Sequence, residues 1–236
     1  MNSEIVGEDF LDFKCPHCGA LNSFPTSVAN LVRECVNCLD LLIVPAKDGE
    51  PGRKLAMAVE GPRVRLRGLV ATDWKDLLEF QFADEDEATG WIPKSGTMRT
   101  GEMREPFYLA VEVRETHKVV GTVGFRFLDI LFNQVELTLI SNETANLTGL
   151  ELEAFEAALA FCFREMNLHR VISQCGARET ERRRVLGELG MRQEAEFVKQ
   201  WYIDREWVSR VWFAMLEEEY FNESSPSTRP SSPARK

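Results

Sequence analysis

The chain has 236 residues, 44% of them hydrophobic and 28% charged, enough apolar material for one or two packed domains and too much for wholesale disorder. Lys and Arg number 28 against 38 Asp and Glu, and a net charge of −10 repels a phosphate backbone, so nucleic acid is disfavoured and cationic partners fit better. No apolar run approaches the roughly 20 residues that cross a bilayer, and the first residues are acidic where a secretory signal is basic and then apolar, so a soluble, cytoplasmic protein with no membrane partner is expected.

In chain order, the first feature is a set of cysteines. Cys15 and Cys18 form one C-x2-C pair, and Cys35 and Cys38 form another, with 16 residues between the pairs. Two residues between cysteines let one tight turn aim both sulfurs at the same point, and two such turns make a tetrahedral thiolate cage for zinc. With all four positions filled by sulfur, the zinc would be structural. The surrounding FKCPHCGALNSF and RECVNCLDLLIVP runs place strand-like segments beside each pair, and the segment resembles a zinc ribbon over residues 1–45. His17 lies between two cysteines, where its ring is expected to point outward. Residues 46–62 are rich in Gly, Pro and charge, the composition of a linker.

Beyond that boundary the periodicities alternate. Residues 63–70 read as a strand, and Thr72 is placed to cap a helix running through Ala83. A polar stretch at 84–105 follows, then a hairpin from strands 107–114 and 119–128, and a further strand at 133–141. Residues 149–166 carry Leu150, Leu152, Phe155, Ala158, Leu159 and Phe163 at helical spacing, which predicts a buried helix. A short strand at 169–175, a basic helix at 179–189 ended by Gly190, and strands at 192–203 and 206–215 complete the set. The reading is an α+β fold in one domain, 63–221, with a mixed sheet flanked by helices. Residues 222–236, NESSPSTRPSSPARK, hold almost no apolar side chains and read as a disordered tail.

The segments VRLRGLVATDWKDL, VVGTVGFRFLD, VELTLIS, GLELEAFEAALAFCFREMNLHRVIS and RRVLGELGM, in that order, resemble the GNAT N-acetyltransferase superfamily, and within it the ribosomal-protein alanine N-acetyltransferase subgroup. The resemblance implies transfer of an acetyl group from acetyl-CoA to an amine on a peptide, protein or small molecule. It also implies a cofactor site in which pantetheine pairs with strand backbone at Leu139 and Ile140. The pyrophosphate then rests on a helix N-terminus at Leu147, Thr148, Gly149, Leu150 and Glu151. Of the family's turn, Gln/Arg-x-x-Gly-x-Gly/Ala, this chain keeps only Gly149; Thr144 and Leu147 replace the other two positions. Thr148 and Glu151 also have capping-box spacing, which would close the helix end from within.

An amine must be neutral to attack a thioester. At neutral pH that costs about 4–5 kcal/mol for a lysine of pKa about 10.4 and about 1 kcal/mol for an α-amine near 8. Glu136, in the VEL run, matches a family carboxylate that faces the acceptor and is the candidate general base. Trp91 is the aromatic residue expected to line the acceptor groove. Trp201, Trp207 and Trp212 read as core or rim, His117 and His169 as structural or exposed, and Cys162 and Cys175 as core residues. The alternative to an enzyme is a non-catalytic interaction module of the same fold, stabilised by zinc, that has lost its cofactor turn.

Overall fold

Alternation at period two sets the architecture. On the strand Phe107–Val113, the residues Phe107, Leu109 and Val111 turn to one face, and Tyr108, Ala110 and Glu112 turn to the other. The structure, a computed structural model, describes residues 9–56, 58–79, 81–95, 106–129, 133–141, 149–203 and 205–223. Within them lie twelve strands: β1 (Phe10–Lys14), β2 (Leu21–Pro25), β3 (Val32–Glu34), β4 (Leu41–Ile43), β5 (Ala58–Glu60), β6 (Val64–Gly68), β7 (Phe107–Val113), β8 (Val119–Asp129), β9 (Gln134–Ser141), β10 (Arg170–Gly176), β11 (Arg192–Ile203) and β12 (Glu206–Leu216). The helices are α1 (Trp74–Leu77), α2 (Glu85–Ser95), α3 (Leu150–Ala160), α4 (Thr180–Glu188) and α5 (Glu217–Glu223).

β5 to β12 form one eight-stranded sheet in the order β11-β12-β10-β9-β8-β7-β6-β5. The neighbours pair antiparallel except β9 and β10, which are parallel because α3 carries the chain back between them. α3 continues as a wider π turn through Phe161–Glu165. Its buried face, including Phe155, Leu159, Phe161 and Phe163, packs on Leu66, Leu109, Phe125, Leu137 and Val171. Phe161 meets Phe125 edge to face at 5.3 Å, a geometry worth about 0.5–1.5 kcal/mol beyond the area buried. The opposite face carries α1 and α2, with Leu77 and Ile92 against Ala110 and Val119.

The elements expected from periodicity are present, with three differences. Thr72 lies inside a short 3-10 turn, and Asp73 supplies the cap by accepting the Val70 N–H at 2.9 Å; the helix that follows is only Trp74–Leu77. The polar 84–105 stretch holds α2, whose acidic first turn suits a helix N-terminus and whose Glu87 N–H donates to Asp84 Oδ1 at 2.9 Å. α5 ends the described chain, so residues 222 and 223 are helical and 224–236 lie outside the described residues.

The amino-terminal segment and the sheet share apolar contacts. Val32, Leu41 and Ile43 belong to the same buried cluster as the α3 face, and Leu55, between the two segments, joins them. Ile43 and Arg53 exchange backbone hydrogen bonds at 2.9 and 3.0 Å, and β5 within 46–62 pairs with β6. Arg33, buried, donates from Nη1 to Asn133 Oδ1 at 2.8 Å. Asn133 adopts a left-handed φ of 52°, and its carbonyl accepts the His169 and Arg170 N–H groups where β10 begins.

A polar network stabilises the far side of the sheet. Buried Glu112 accepts from Arg65 at 2.7 Å, from Arg67 and from His117 at 3.1 Å, while Arg67 also grips Asp73 at 2.8 and 2.9 Å. Burial alone would raise the Glu112 carboxyl; the Arg67 and His117 hydrogen bonds outweigh it and hold the group below its usual range. A lowered folded-state pKa contributes stability that is present above the ordinary value of about 4.3 and lost as pH falls through the lowered one. Glu112→Gln is expected to cost about 3–5 kcal/mol in urea unfolding at pH 7, as for removal of one partner from a buried ionic network. The gap to the parent protein should narrow below about pH 4.

Candidate active site

Parallel pairing of β9 with β10 runs from Arg170 opposite Gln134 to Ser173 opposite Leu137 and then stops, although β9 continues to Ser141 and β10 to Gly176. At the last paired rung the buried Ser173 hydroxyl donates to the Leu137 carbonyl at 3.0 Å. Past it the two strands part, and the β9 edge that faced β10 has lost its ladder partner. The Leu139 carbonyl on that edge accepts from Arg182 Nη1 of α4 at 3.3 Å. Leu139 is buried on the α3 side of the sheet; Ile140, half-buried, belongs to the other side by alternation.

The N-terminus of α3 flanks this split. Gly149 is its N-cap, with φ +90°, and a Cβ there would stand 3.0 Å from Arg63 Nη2. Glycine meets both demands, since it tolerates the left-handed region and permits close approach. Two carboxylates occupy the first turn. Glu153 accepts the Arg63 N–H at 2.9 Å and pairs with its guanidinium, and Glu151 pairs with Arg182. Glu151 is therefore turned toward α4, while the Thr148 half of the expected capping box lies outside the described residues. Thr144, Leu147 and Thr148 lie outside the described residues. Leu150 and Ala154 border a cavity of about 10 Å³ against Val111, Val120, Gly121 and Leu139, room for about one water.

Glu136 sits on β9 one residue before the last paired rung, on the α1–α2 face of the sheet. It is buried. Its Oε2 accepts from Arg126, directly across on β8. Its Oε1 lies 3.9 Å from Arg210 Nη2 of β12, too long for a hydrogen bond. Among the described residues, Oε1 thus retains its lone pairs. Thr138, next on the same face, is exposed, and Tyr108 lies across Gly124, where a Cβ would meet its ring at 2.7 Å.

Arg210 is held between rings, 4.7 Å from the Trp201 centroid and 5.7 Å from Trp212. β11 makes this possible through a bulge. Phe197 pairs with Arg210 and Trp201 with Val208, so three residues, 198–200, with Lys199 at φ 51°, stand opposite the single Ser209, and Trp201 comes beside Arg210. Burial lowers the Arg210 pKa and Glu136 opposes that shift, while Arg126 reinforces it. Arg126, Arg210, Trp201 and Trp212 were missed as site residues from sequence. The available signal was an arginine inside each of two apolar strand runs, VGFRFLD and VSRVWFAML. Trp91, expected at the groove, packs between Phe82 at 5.0 Å and Tyr108 at 4.8 Å. Trp207 is exposed beside Tyr202.

At the amino-terminal segment, the sulfurs of Cys15, Cys18, Cys35 and Cys38 all lie within 4.8 Å of one another. Cys15 and Cys38 are 3.8 Å apart and Cys18 and Cys35 3.7 Å, close to the ~3.8 Å edge of a tetrahedron with metal–sulfur bonds of about 2.3 Å. N–H groups of His17 and Asn37 and the side-chain amides of Asn22 and Asn37 point at the sulfurs. Burial opposes ionisation of Cys35, but hydrogen bonds from Cys38, Asn37 and Asn22 bring its thiol down to about 6. His17 turns its ring to the Leu41 carbonyl at 3.1 Å. Cys162 and Cys175 are core residues, the latter raised by burial to about 11. His117 touches Glu112, and His169 lies 3.5 Å from Glu217.

A mixed sheet with one parted parallel pair and a helix N-terminus beside the gap defines the GNAT class of α+β acyltransferase fold. The family model described as the acetyltransferase (GNAT) domain matches residues 63–192, and the chain belongs to that family, whose members are acyl-CoA-dependent N-acetyltransferases. The chain is 28% identical over 177 residues to the uncharacterized N-acetyltransferase YnaD of Bacillus subtilis (strain 168), covering 70% of this chain and 99% of that protein. Among solved structures, a GNAT-family acetyltransferase from Bacillus anthracis superposes with a TM-score of 0.58 at 24% identity, over 69% of this chain and 99% of that one. A Vibrio cholerae protein described as a ribosomal-protein-serine acetyltransferase gives 0.55 at 19% identity, over 67% and 97%. These two likenesses concern the fold alone. No described helix is long and apolar enough to cross a membrane.

Proposed function

We propose that this protein moves an acetyl group from acetyl-CoA to a primary amine, with the acceptor entering on the α1–α2 face of the sheet beside Glu136. The observation that carries the reading is the parting of β9 and β10 next to the N-terminus of α3. The unpaired β9 edge at Leu139 and Ile140 suits an amide-bearing pantetheine arm. The N-terminus of α3 at Gly149, Leu150 and Glu151, flanked by Arg63 and Arg182, suits a diphosphate. When bound, acetyl-CoA supplies the acetyl group as a thioester. On the protein side, Glu136 Oε1 accepts the proton that the acceptor amine must shed, directly or through one water, while Arg126 on Oε2 fixes the carboxylate in place. An acceptor on a protein N-terminus fits the ribosomal-protein subgroup, and an α-amine needs less help in losing its proton than a lysine does.

One contact favours the competing reading of a non-catalytic module: Arg182 lies across the split, joined to both Leu139 and Glu151. Calorimetric titration with acetyl-CoA separates the two. Saturable binding in the micromolar range is expected, and no heat at millimolar acetyl-CoA leaves only the module. The cysteine cage is assigned to structural zinc, since its four thiols have the spacing and hydrogen bonding that Zn–S₄ sites require. In this reading residues 1–45 are the ribbon and 63–221 the acetyltransferase domain.

Three outcomes are expected. Glu151→Gln removes a carboxylate that opposes the diphosphate and releases Arg182, tightening acetyl-CoA about two- to tenfold by calorimetry. Glu136→Gln lowers kcat/KM about 10²-fold at pH 7, and the loss shrinks as pH rises past the acceptor's own pKa; a pH-independent deficit would reject Glu136 as the base. Chelation of zinc lowers the main melting transition as well as unfolding the cysteine segment, because Val32, Leu41 and Ile43 lie in the core of the sheet domain. The decrement is about 2–4 °C for each kcal/mol lost.

A further inference from the structure

The described side chains around Glu136 carry an excess of positive charge in a protein whose net charge is −10. Two guanidinium groups, Arg126 and Arg210, share the single Glu136 carboxylate, which leaves one positive charge unmatched (two minus one) among these residues. Arg126 is partly exposed, whereas Arg210 is largely buried between Trp201 and Trp212. Hydrogen-bonding capacity is unspent at the same place. Among the described residues, Arg210 Nε and Trp212 Nε1 are buried donors with no hydrogen-bond partner, and Gln174 Oε1 is a buried acceptor with none.

The sheet register makes these one patch. Gln174 on β10 pairs directly with Trp212 on β12, and Arg210 lies two residues before Trp212 on the same face. Arg210 reaches from there toward Glu136, to 3.9 Å. Buried N–H groups left without acceptors are costly, and a cluster of them beside an unmatched cation is what a carboxylate relieves. A polyamine, by contrast, would add cations to a patch already in excess.

Building on the acetyltransferase reading, we infer that the acceptor is an amine bearing a carboxylate, with the carboxylate received by Arg210 Nε and Trp212 Nε1 and the amine presented to Glu136 Oε1. Gln174 Oε1 accepts a further N–H of the acceptor. Two sources share this chemistry: a free amino acid, through its α-carboxylate, and a peptide that begins with an acidic residue, through its side chain.

The test uses the full chain and reads tryptophan fluorescence, which Trp201 and Trp212 place at the patch. The ligands are N-acetyl-L-alanine, N-acetyl-L-alaninamide, N-acetyl-L-glutamylglycinamide and spermidine. At least one of the two carboxylate ligands is expected to saturate at a concentration about tenfold or more below that of the neutral alaninamide and of spermidine. Preference for N-acetyl-L-alanine identifies the free amino acid, and preference for the glutamyl compound identifies the peptide. Trp212→Phe, which removes Nε1 and keeps a ring, and Arg210→Lys, which keeps the charge and removes the fork, should each bring that ratio to within about twofold. If Arg210→Lys does not fold, Trp212→Phe alone decides. Equal binding of the neutral amide, better binding of spermidine, or selectivity that survives Trp212→Phe overturns the inference. Calorimetry with acetyl-CoA on the same sample separates its failure from that of the enzyme reading. Acetyl-CoA binding without carboxylate selectivity removes the anion site alone, and selectivity without acetyl-CoA binding removes its role as an acceptor site.

Discussion

Main-chain N–H and C=O groups that leave a sheet ladder must find another partner or water. The parting of β9 from β10 after the rung between Leu137 and Ser173 is the constraint on which the rest of the site depends. On one side of the gap the chain continues into α3, whose N-terminal amides are likewise without ladder partners. On the other side β10 leads to α4, which sends Arg182 back to the Leu139 carbonyl. The Ser173 hydroxyl on Leu137 closes the paired stretch, so the opening begins at a fixed point in the sheet instead of fraying.

Charge is distributed in pairs around that opening. Each carboxylate in the first turn of α3 has its own arginine, Arg63 for Glu153 and Arg182 for Glu151, so the helix end is electrically balanced as it stands. Across the sheet the balance is broken the other way, with two arginines on Glu136. An overall acidic composition therefore says little about the polarity around Glu136, because carboxylates are concentrated elsewhere, as in the first turns of α2 and α5.

Much of this was legible in the chain. Strand alternation in FYLAVEV, the helical spacing of Leu150 to Phe163 and the two C-x2-C pairs each encode their geometry locally, and each is found where expected. α2 escaped because its signal is an acidic first turn followed by few apolar residues, and Ile92 is buried by tertiary neighbours, among them Leu77, Ala110 and Val119. The aromatic clamp on Arg210 escaped for a different reason: it needs a bulge in β11, and a register shift between distant strands leaves no periodic trace. Glu136 was singled out through resemblance, but its two arginine partners come from β8 and β12, elements whose adjacency only the folded sheet establishes.

Asn133 stands at a junction of three parts of the molecule. Its backbone bends through the left-handed region, its carbonyl holds the start of β10, and its side chain accepts from buried Arg33 of the cysteine segment. Glycine would satisfy the bend and remove one acceptor from the guanidinium, which also donates to the Val32 carbonyl at 2.7 Å; a longer amide would serve the guanidinium and resist the bend. Positions 33 and 133, a hundred residues apart in the chain, are thus tied together in the fold.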